Sequence, residues 1–358
     1  MEHHHSVPLF ALAAASPLVM LCIAVFAGGV WPLLALLYMG VLSVVLDLAI
    51  HEGRADLPED TGFPAADRLL VWLAAGHFLL IILVVWAVAG PSALTLLQRA
   101  LLFAAAGLWV GQVAHPAAHE LIHRGSRGLF RLGVAVYCSL LIGHHASAHR
   151  LVHHRHVATR DDPNTARAGE GFWQFLRRAW SGSFLAGYAA ESARRVGWLH
   201  PYAVYVGGAL LALATGFAIA GWGGVLCWLA LAGHAQMQIF LSDYVQHYGL
   251  TRAAQDDGRP EPVGPRHSWN AAHWFSGRLM LNAPRHSDHH AHPSRPYPAL
   301  HLPAGDEAPR LPWPLPVACT LAMWPALWRR LMQPHLAQWQ RPVTAPVTAP
   351  VTAPVTAT

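Results

Sequence analysis

The sequence predicts an all-α integral membrane protein, a bundle of six transmembrane helices under a histidine-rich cytosolic cap. Three observations lead there. Of its 358 residues, 54% are hydrophobic and only 12% charged, against about 25% charged in soluble domains. Several apolar runs reach the roughly 20 residues that cross a bilayer. Nine histidines fall into four tight clusters just beyond apolar stretches.

The spans follow in order. The first two cover about residues 9–26 and 30–50, separated by Gly28 and Gly29, and a polar loop (HEGRADLPEDTGFPAADR) follows. The third and fourth, about 69–89 and 93–114, are divided by the Gly90–Pro91 turn. The fifth and sixth, about 201–220 and 225–241, are divided by GWGG at Gly221–Gly224. The apolar run Leu129–Ile142 is short for a crossing and is expected to be a half-buried or re-entrant helix. Residues 1–341 then form a single membrane domain. Residues 342–358 repeat PVTA four times, a Pro-spaced tail expected to be extended or disordered.

Every basic residue is arginine, and the formal charge is +5. The arginines flank apolar runs instead of forming a nucleic-acid patch. The turns at Gly90–Ala93 and Gly221–Gly224 carry none, whereas Arg124–Arg195 carries eleven. By the positive-inside rule both termini and all four clusters face the cytoplasm, as in a multi-pass protein of a bacterial inner membrane. Met1–Ser6 lacks the basic region and cleavage site of a secretory signal. Cys22, Cys138, Cys227 and Cys319 form no CxxC pair, which excludes a thiolate metal site and a disulfide framework. No role is assigned to the terminal run His3–His5.

The clusters are His119 and His123 in HELIH, His149, His153 and His154 in HRLVHH, His247 in QHYG, and His286, His289 and His290 in HSDHH. His119 and His123 share a helical face one turn apart. His149 and His153 repeat that spacing, and His286 stands in the same relation to His289 and His290. Imidazole is the commonest metal-ligating side chain. One transition ion takes about four to six ligands, so nine imidazoles suit two ions, a dinuclear site. Ligand type leaves zinc, copper, iron and nickel open. The apolar setting favours a redox pair that activates O2 against an unreactive C–H bond. A competing reading takes HELIH as the HExxH of a zinc protease, with Glu120 as general base; it leaves seven histidines unexplained. A metal transporter would place ionisable ligands mid-membrane, whereas these follow the span ends.

HELIHR, HRLVHHRHVATRDDPNTAR, DYVQHYGL and RHSDHHAHPSRPYPAL, together with Ser268–Asn270, resemble the signature blocks of the membrane alkane 1-monooxygenase (alkane ω-hydroxylase) family. That family lies within the fatty acid desaturase-like membrane diiron superfamily. The resemblance runs from about Trp31 to Trp339, and HYG and HSDHH separate this group from acyl-lipid desaturases and sterol hydroxylases. It implies a non-haem diiron site on a six-helix scaffold, with His119, His123, His149, His153, His154, His247, His286, His289 and His290 as ligands of two Fe ions. It also implies hydroxylation of a terminal methyl group with O2, and electrons from rubredoxin and an NADH-dependent reductase. Related enzymes acting on aryl methyl groups or acyl lipids are the alternative. With no CxxC pair the chain carries no rubredoxin of its own, and its arginine-rich face suits an acidic donor.

The chain departs from the family pattern at Ala148, Gln246 and Ala283-Pro284, where an acidic residue, Glu and Leu-Gln are usual. Asp288 is expected to support a ligand imidazole, and Asp243 and Glu120 are held in the same suspicion. Asp47 is a functional suspect as an intramembrane carboxylate. Asp161, Asp162 and Arg167 are expected to shape a turn, and His51, His77, His145, His156, His273 and His292 to be structural.

Overall fold

The computed structural model describes residues 6–50, 63–194 and 197–340. The N-terminal histidine run, His51, the loop around Arg54 and the PVTA tail lie outside the described residues.

Five helices are long and apolar enough to cross a membrane. They are α1 (Ser6–Ala27), α2 (Trp31–Ala49), α3 (Pro64–Ala89), α4 (Leu96–Ile122) and α8 (Pro201–His247). Between α4 and α8 lie α5 (Arg127–Ser139), the helical segment α6 (residues 145–156) and α7 (Phe172–Ala193). After α8 come α9 (Trp274–Leu279), α10 (His286–Ala291), α11 (Leu315–Ala322) and α12 (Pro325–Trp339). Extended pairing among the described residues is limited to two isolated bridges, Ala254 with Pro260 and Asn270 with Arg310.

The two expected spans after residue 200 form one 47-residue helix, α8, with a break. A straight helix of that length would extend about 70 Å, more than twice the roughly 30 Å hydrocarbon core. Ala220 and Gly221 leave the helical region, Gly221 at φ 57° and ψ −145°, a conformation open to glycine alone. A Cβ built on Gly216 would lie 3.0 Å from the Gly224 carbonyl oxygen and 3.3 Å from the Trp228 ring. Residues eight and twelve positions apart can meet only if the chain doubles back. The helix is therefore two antiparallel arms, 201–219 and 222–247.

The other boundaries shift by a few residues. Helix α3 begins at Pro64. Helix α4 begins at Leu96 because Thr95 caps it: its hydroxyl accepts from Gln98 N at 3.3 Å while the Gln98 side chain accepts from Thr95 N at 2.9 Å. It then continues, through a π-segment, to Ile122, with His123 of HELIH as its C-cap. Helix α5, with 13 residues, spans only about 20 Å, too short to cross. Large apolar side chains such as Phe26, Trp72, Leu96 and Trp222 are exposed along these helices, a surface suited to lipid. Inside, Trp109 Nε1 donates to the Ala14 carbonyl at 3.1 Å and ties α4 to α1. Trp228 Nε1 donates to the Ser139 carbonyl at 2.7 Å and ties α8 to α5.

Candidate metal centre

The C-terminal ends of α4 and α8 lie side by side, and α6 and α10 fold over them. Nine imidazoles meet there in two groups. His119, His123, His149, His154 and His289 form one, and His153, His247, His286 and His290 the other. Within each group one donor atom per residue lies within 4.8 Å of every other.

Sequence spacing alone assigns the rings to faces incorrectly in two places. In α6, residues His149–His153 form a π-turn, whose i→i+5 bonding brings residues five apart into line. His149 therefore pairs with His154, Nε2 to Nε2 at 2.9 Å, and not with His153, which turns to the other group. In α10, His286 and His290 share the four-histidine group at 3.1 Å. His289 turns away to meet His154 at 3.2 Å. The blocks on α6 and α10 thus contribute to both groups, HELIH serves the first and His247 the second. Upstream, α4 carries its own π-segment at Val110–Ala114. Pro116 follows it, with no N–H to give to the Gln112 carbonyl one turn back.

The donor set fits metal ions. His149 Nε2 lies 2.8 Å from His119 Nε2 and 2.9 Å from His154 Nε2, and His286 Nε2 lies 3.0 Å from His247 Nε2 and 3.1 Å from His290 Nε2. Metal–imidazole bonds of about 2.1 Å at right angles separate neighbouring nitrogens by about 3.0 Å. A neutral imidazole has one N–H and one acceptor, so three converging Nε2 atoms cannot satisfy one another. His123 Nε2 and His153 Nε2 are buried with no hydrogen-bond partner. A cation at each focus resolves both problems. Burial, reinforced by neighbouring imidazoles, pushes His123, His149, His154, His286, His289 and His290 well below the usual histidine range, which keeps them neutral and competent to ligate.

Asp162 sets the orientation of one ring. Its carboxylate accepts from His153 Nδ1 at 2.8 Å, from Thr165 Oγ1 at 2.7 Å and from Asn164 N at 3.0 Å. Burial would raise this carboxyl, but the His153 imidazole and these donors outweigh it and hold it below the usual range. Asn164 in turn donates to Asp243 at 2.6 Å, linking DDPNTAR to α8. Behind the first group stands a further layer. The His145 ring stacks on His149 at 5.1 Å, and His115 lies 6.2 Å from His119, with its Nδ1 3.1 Å from the Tyr137 hydroxyl. The signal in the sequence was spacing: His115, His119 and His123, and His145, His149 and His153, each recur every four residues.

Three carboxylates point elsewhere. Asp288 accepts from Arg295 at 2.6 Å, His292 Nδ1 at 3.1 Å and His301 N at 2.8 Å, so it shapes the loop after α10 and supports no ligand ring. Glu120 pairs with Arg124 at 3.1 Å and accepts from Tyr297 N at 3.1 Å, which engages the group a protease would need as its base. Asp47 accepts from Phe275 N at 2.7 Å and Ser276 N at 3.0 Å. It caps the N-terminus of α9 from α2, a structural role. His77, as expected, is internal, bonded to Ser139 Oγ at 2.7 Å.

The fatty acid desaturase family profile matches residues 91–320, a stretch that holds all nine histidines. The alkane 1-monooxygenase of Ectopseudomonas oleovorans is 31% identical over 320 residues, 86% of this chain and 78% of that protein. The chain belongs to the alkane 1-monooxygenase family. Alkane 1-monooxygenase 1 of Pseudomonas aeruginosa is 35% identical over 237 residues, 64% of this chain, and alkane 1-monooxygenase 2 of Alcanivorax borkumensis is 32% identical over 235 residues, 63% of it. The matches span 61% and 60% of those two relatives' lengths. Two departures from the alkane 1-monooxygenase pattern form one unit here. Gln246 Nε2 donates to the Ala283 carbonyl at 3.1 Å while its Oε1 accepts from Ser242 at 2.7 Å. At Ala148, α7 closes the space an acidic side chain would need: a Cβ on Gly187 would meet Ala148 at 3.2 Å. A carboxylate still reaches this helix from α7, where Glu191 accepts from Ser147 Oγ at 2.6 Å.

Proposed function

We propose that the protein is an O2-dependent membrane monooxygenase that hydroxylates the terminal methyl group of n-alkanes or similar hydrophobic molecules, with two iron ions held one by each histidine group. The observation that carries this reading is the convergence of nine imidazoles on two adjacent foci at the ends of apolar helices. The activity for which the relatives are named, alkane 1-monooxygenation, agrees with it. The arginine distribution supports a cytoplasmic position for the site and both termini, with the protein in a bacterial inner membrane. The reversal at Gly221 supports six crossings.

When bound, the irons would supply oxygen activation, with two electrons and two protons consumed as one oxygen atom enters the C–H bond and the other leaves as water. The protein's own groups do the rest. Asp162 fixes the tautomer and plane of His153. The stacked His145 holds His149 from behind. An apolar cavity of about 660 Å³ between α3, α5 and the first arm of α8, lined by residues such as Phe78, Val134, Ala212 and Trp228, offers a hydrocarbon a way in from the bilayer.

Electrons are proposed to come from a rubredoxin-type protein with its NADH-dependent reductase. A groove of about 800 Å³ lined by Arg160, Arg167 and Arg252 has Asp162 among its walls, one hydrogen bond from His153. Its charge suits an acidic donor. The test is octane oxidation under ¹⁸O2 in membranes supplied with rubredoxin and reductase. Labelled 1-octanol is expected, and unlabelled product or none would reject the reading.

A further inference from the structure

Between α4 and the second arm of α8 the membrane interior carries polar side chains in register. His234, Gln238, Ser242 and Gln246 recur every fourth residue, forming one stripe along α8. Gly107 and Gly111, also four apart, open α4 to that stripe. A Cβ at Gly107 would lie 2.5 Å from His234 Nδ1, and one at Gly111 would collide with the Gln238 amide. Gln238 Nε2 donates to the Gly107 carbonyl at 2.8 Å and lies 3.1 Å from His234 Nδ1.

Small residues and side-chain hydrogen bonds of this kind hold transmembrane helices together, and that explains the contact. It does not explain the space beside it. A cavity of about 130 Å³ runs along the stripe, walled by Gln112, His115, His234, Gln238, Ser242 and Thr320 among others. Gln112 is 7% exposed, and its carbonyl oxygen Oε1 is buried without a hydrogen-bond partner. Buried amide oxygens are partnered by protein or by ordered water, and a water occupies about 30 Å³, so this cavity has room for roughly four. One end reaches Thr320, which is exposed. The other ends on His115, whose ring lies 6.2 Å from that of His119 in the five-histidine group.

We infer that this seam is a hydrated inlet that connects water near Thr320 with the five-histidine group and carries the protons that oxygen reduction consumes. The inference rests on the function proposed above. The stoichiometry sets the demand: R–H, O2, two electrons from the external donor and two protons give R–OH and one water. A centre walled by apolar helices needs a polar route for both protons, and polar side chains inside a membrane are too costly to stand idle.

Two measurements test it. The first uses the metal-free protein in lipid vesicles, with Cys319→Ser removing the native thiol of the cavity and His234→Cys placing a new one in it. A small charged thiosulfonate added in water is expected to modify that cysteine, and Gln112→Leu in the same background to slow the reaction. Modification only by a lipid-soluble maleimide, or by neither reagent, overturns the inlet. The second measures turnover in H2O and D2O. Gln112→Leu is expected to lower kcat on the order of a hundredfold, the low end of what a positioned proton-transfer group contributes, and to increase the solvent isotope effect. Iron content and the KM for octane should be unchanged, and Gln112→Asn should restore most of the rate. An active Gln112→Leu protein with wild-type kcat and isotope effect overturns the inference. A wild-type protein that hydroxylates nothing overturns the proposed function, while the labelling result still decides whether the seam holds water.

Discussion

The Asp162 carboxylate accepts a hydrogen bond from His153 Nδ1 at 2.8 Å, with both side chains buried. The acid does not touch the focus of its group; it fixes which nitrogen of His153 faces inward. Losses of 10–100-fold in metal affinity are typical when such a partner is removed. Asp162→Ala is therefore expected to lose about that much affinity at the four-histidine group, while the five-histidine group stays loaded. Metal content against chelator concentration would show one ion released early. Release of both together would deny the separation of the two groups.

The division of the HSDHH block yields a sharper expectation. His289 belongs to the five-histidine group, and His286, three residues earlier, to the other. His289→Ala and His286→Ala should each halve the bound metal, yet leave different ions behind, distinguishable by their spectra. Both should abolish turnover. Identical residual spectra would contradict the assignment.

Asp47 is a buried carboxylate that the sequence marks as a functional suspect, and it proves to be a helix cap. It supplies acceptors for two backbone N–H groups of α9, 228 and 229 residues further along. Asp47→Ala leaves those donors unpaired at a cost of about 1–3 kcal/mol. A lower melting temperature with full metal content is the expected result. Loss of metal at unchanged stability would return Asp47 to the list of functional groups.

The proposed electron delivery turns on charge. Arg160→Glu and Arg252→Glu, on the groove beside Asp162, should raise the KM for an acidic donor severalfold and flatten its dependence on ionic strength, leaving metal content intact. Wild-type donor kinetics in both variants would place the docking face elsewhere.

The helices and the nine histidines were legible because both are local signals. Apolar runs report spans, and clustered imidazoles report metal. Which ring goes where was not legible. The π-turn at His149–His153 moves His153 out of line with His149, and nothing in a four-residue spacing announces it. Asp162 read as a turn residue because its partner is fixed by how the loop folds back onto α6. Asp288 read as a ligand's support because it sits among ligands, but Arg295 and the His301 N–H claim it. His145 reads as a structural residue and His115 is not singled out, although each continues a histidine repeat by one turn. The fifth and sixth expected spans form the two arms of α8, joined at the non-helical Ala220–Gly221 turn, so five long apolar helices stand where six spans were expected.

The most direct measurement is the metal content of the purified protein, read by elemental analysis and Mössbauer spectroscopy. Two histidine groups, one of five and one of four, predict two irons per chain in distinguishable environments. A single ion, or zinc in their place, would contradict the account.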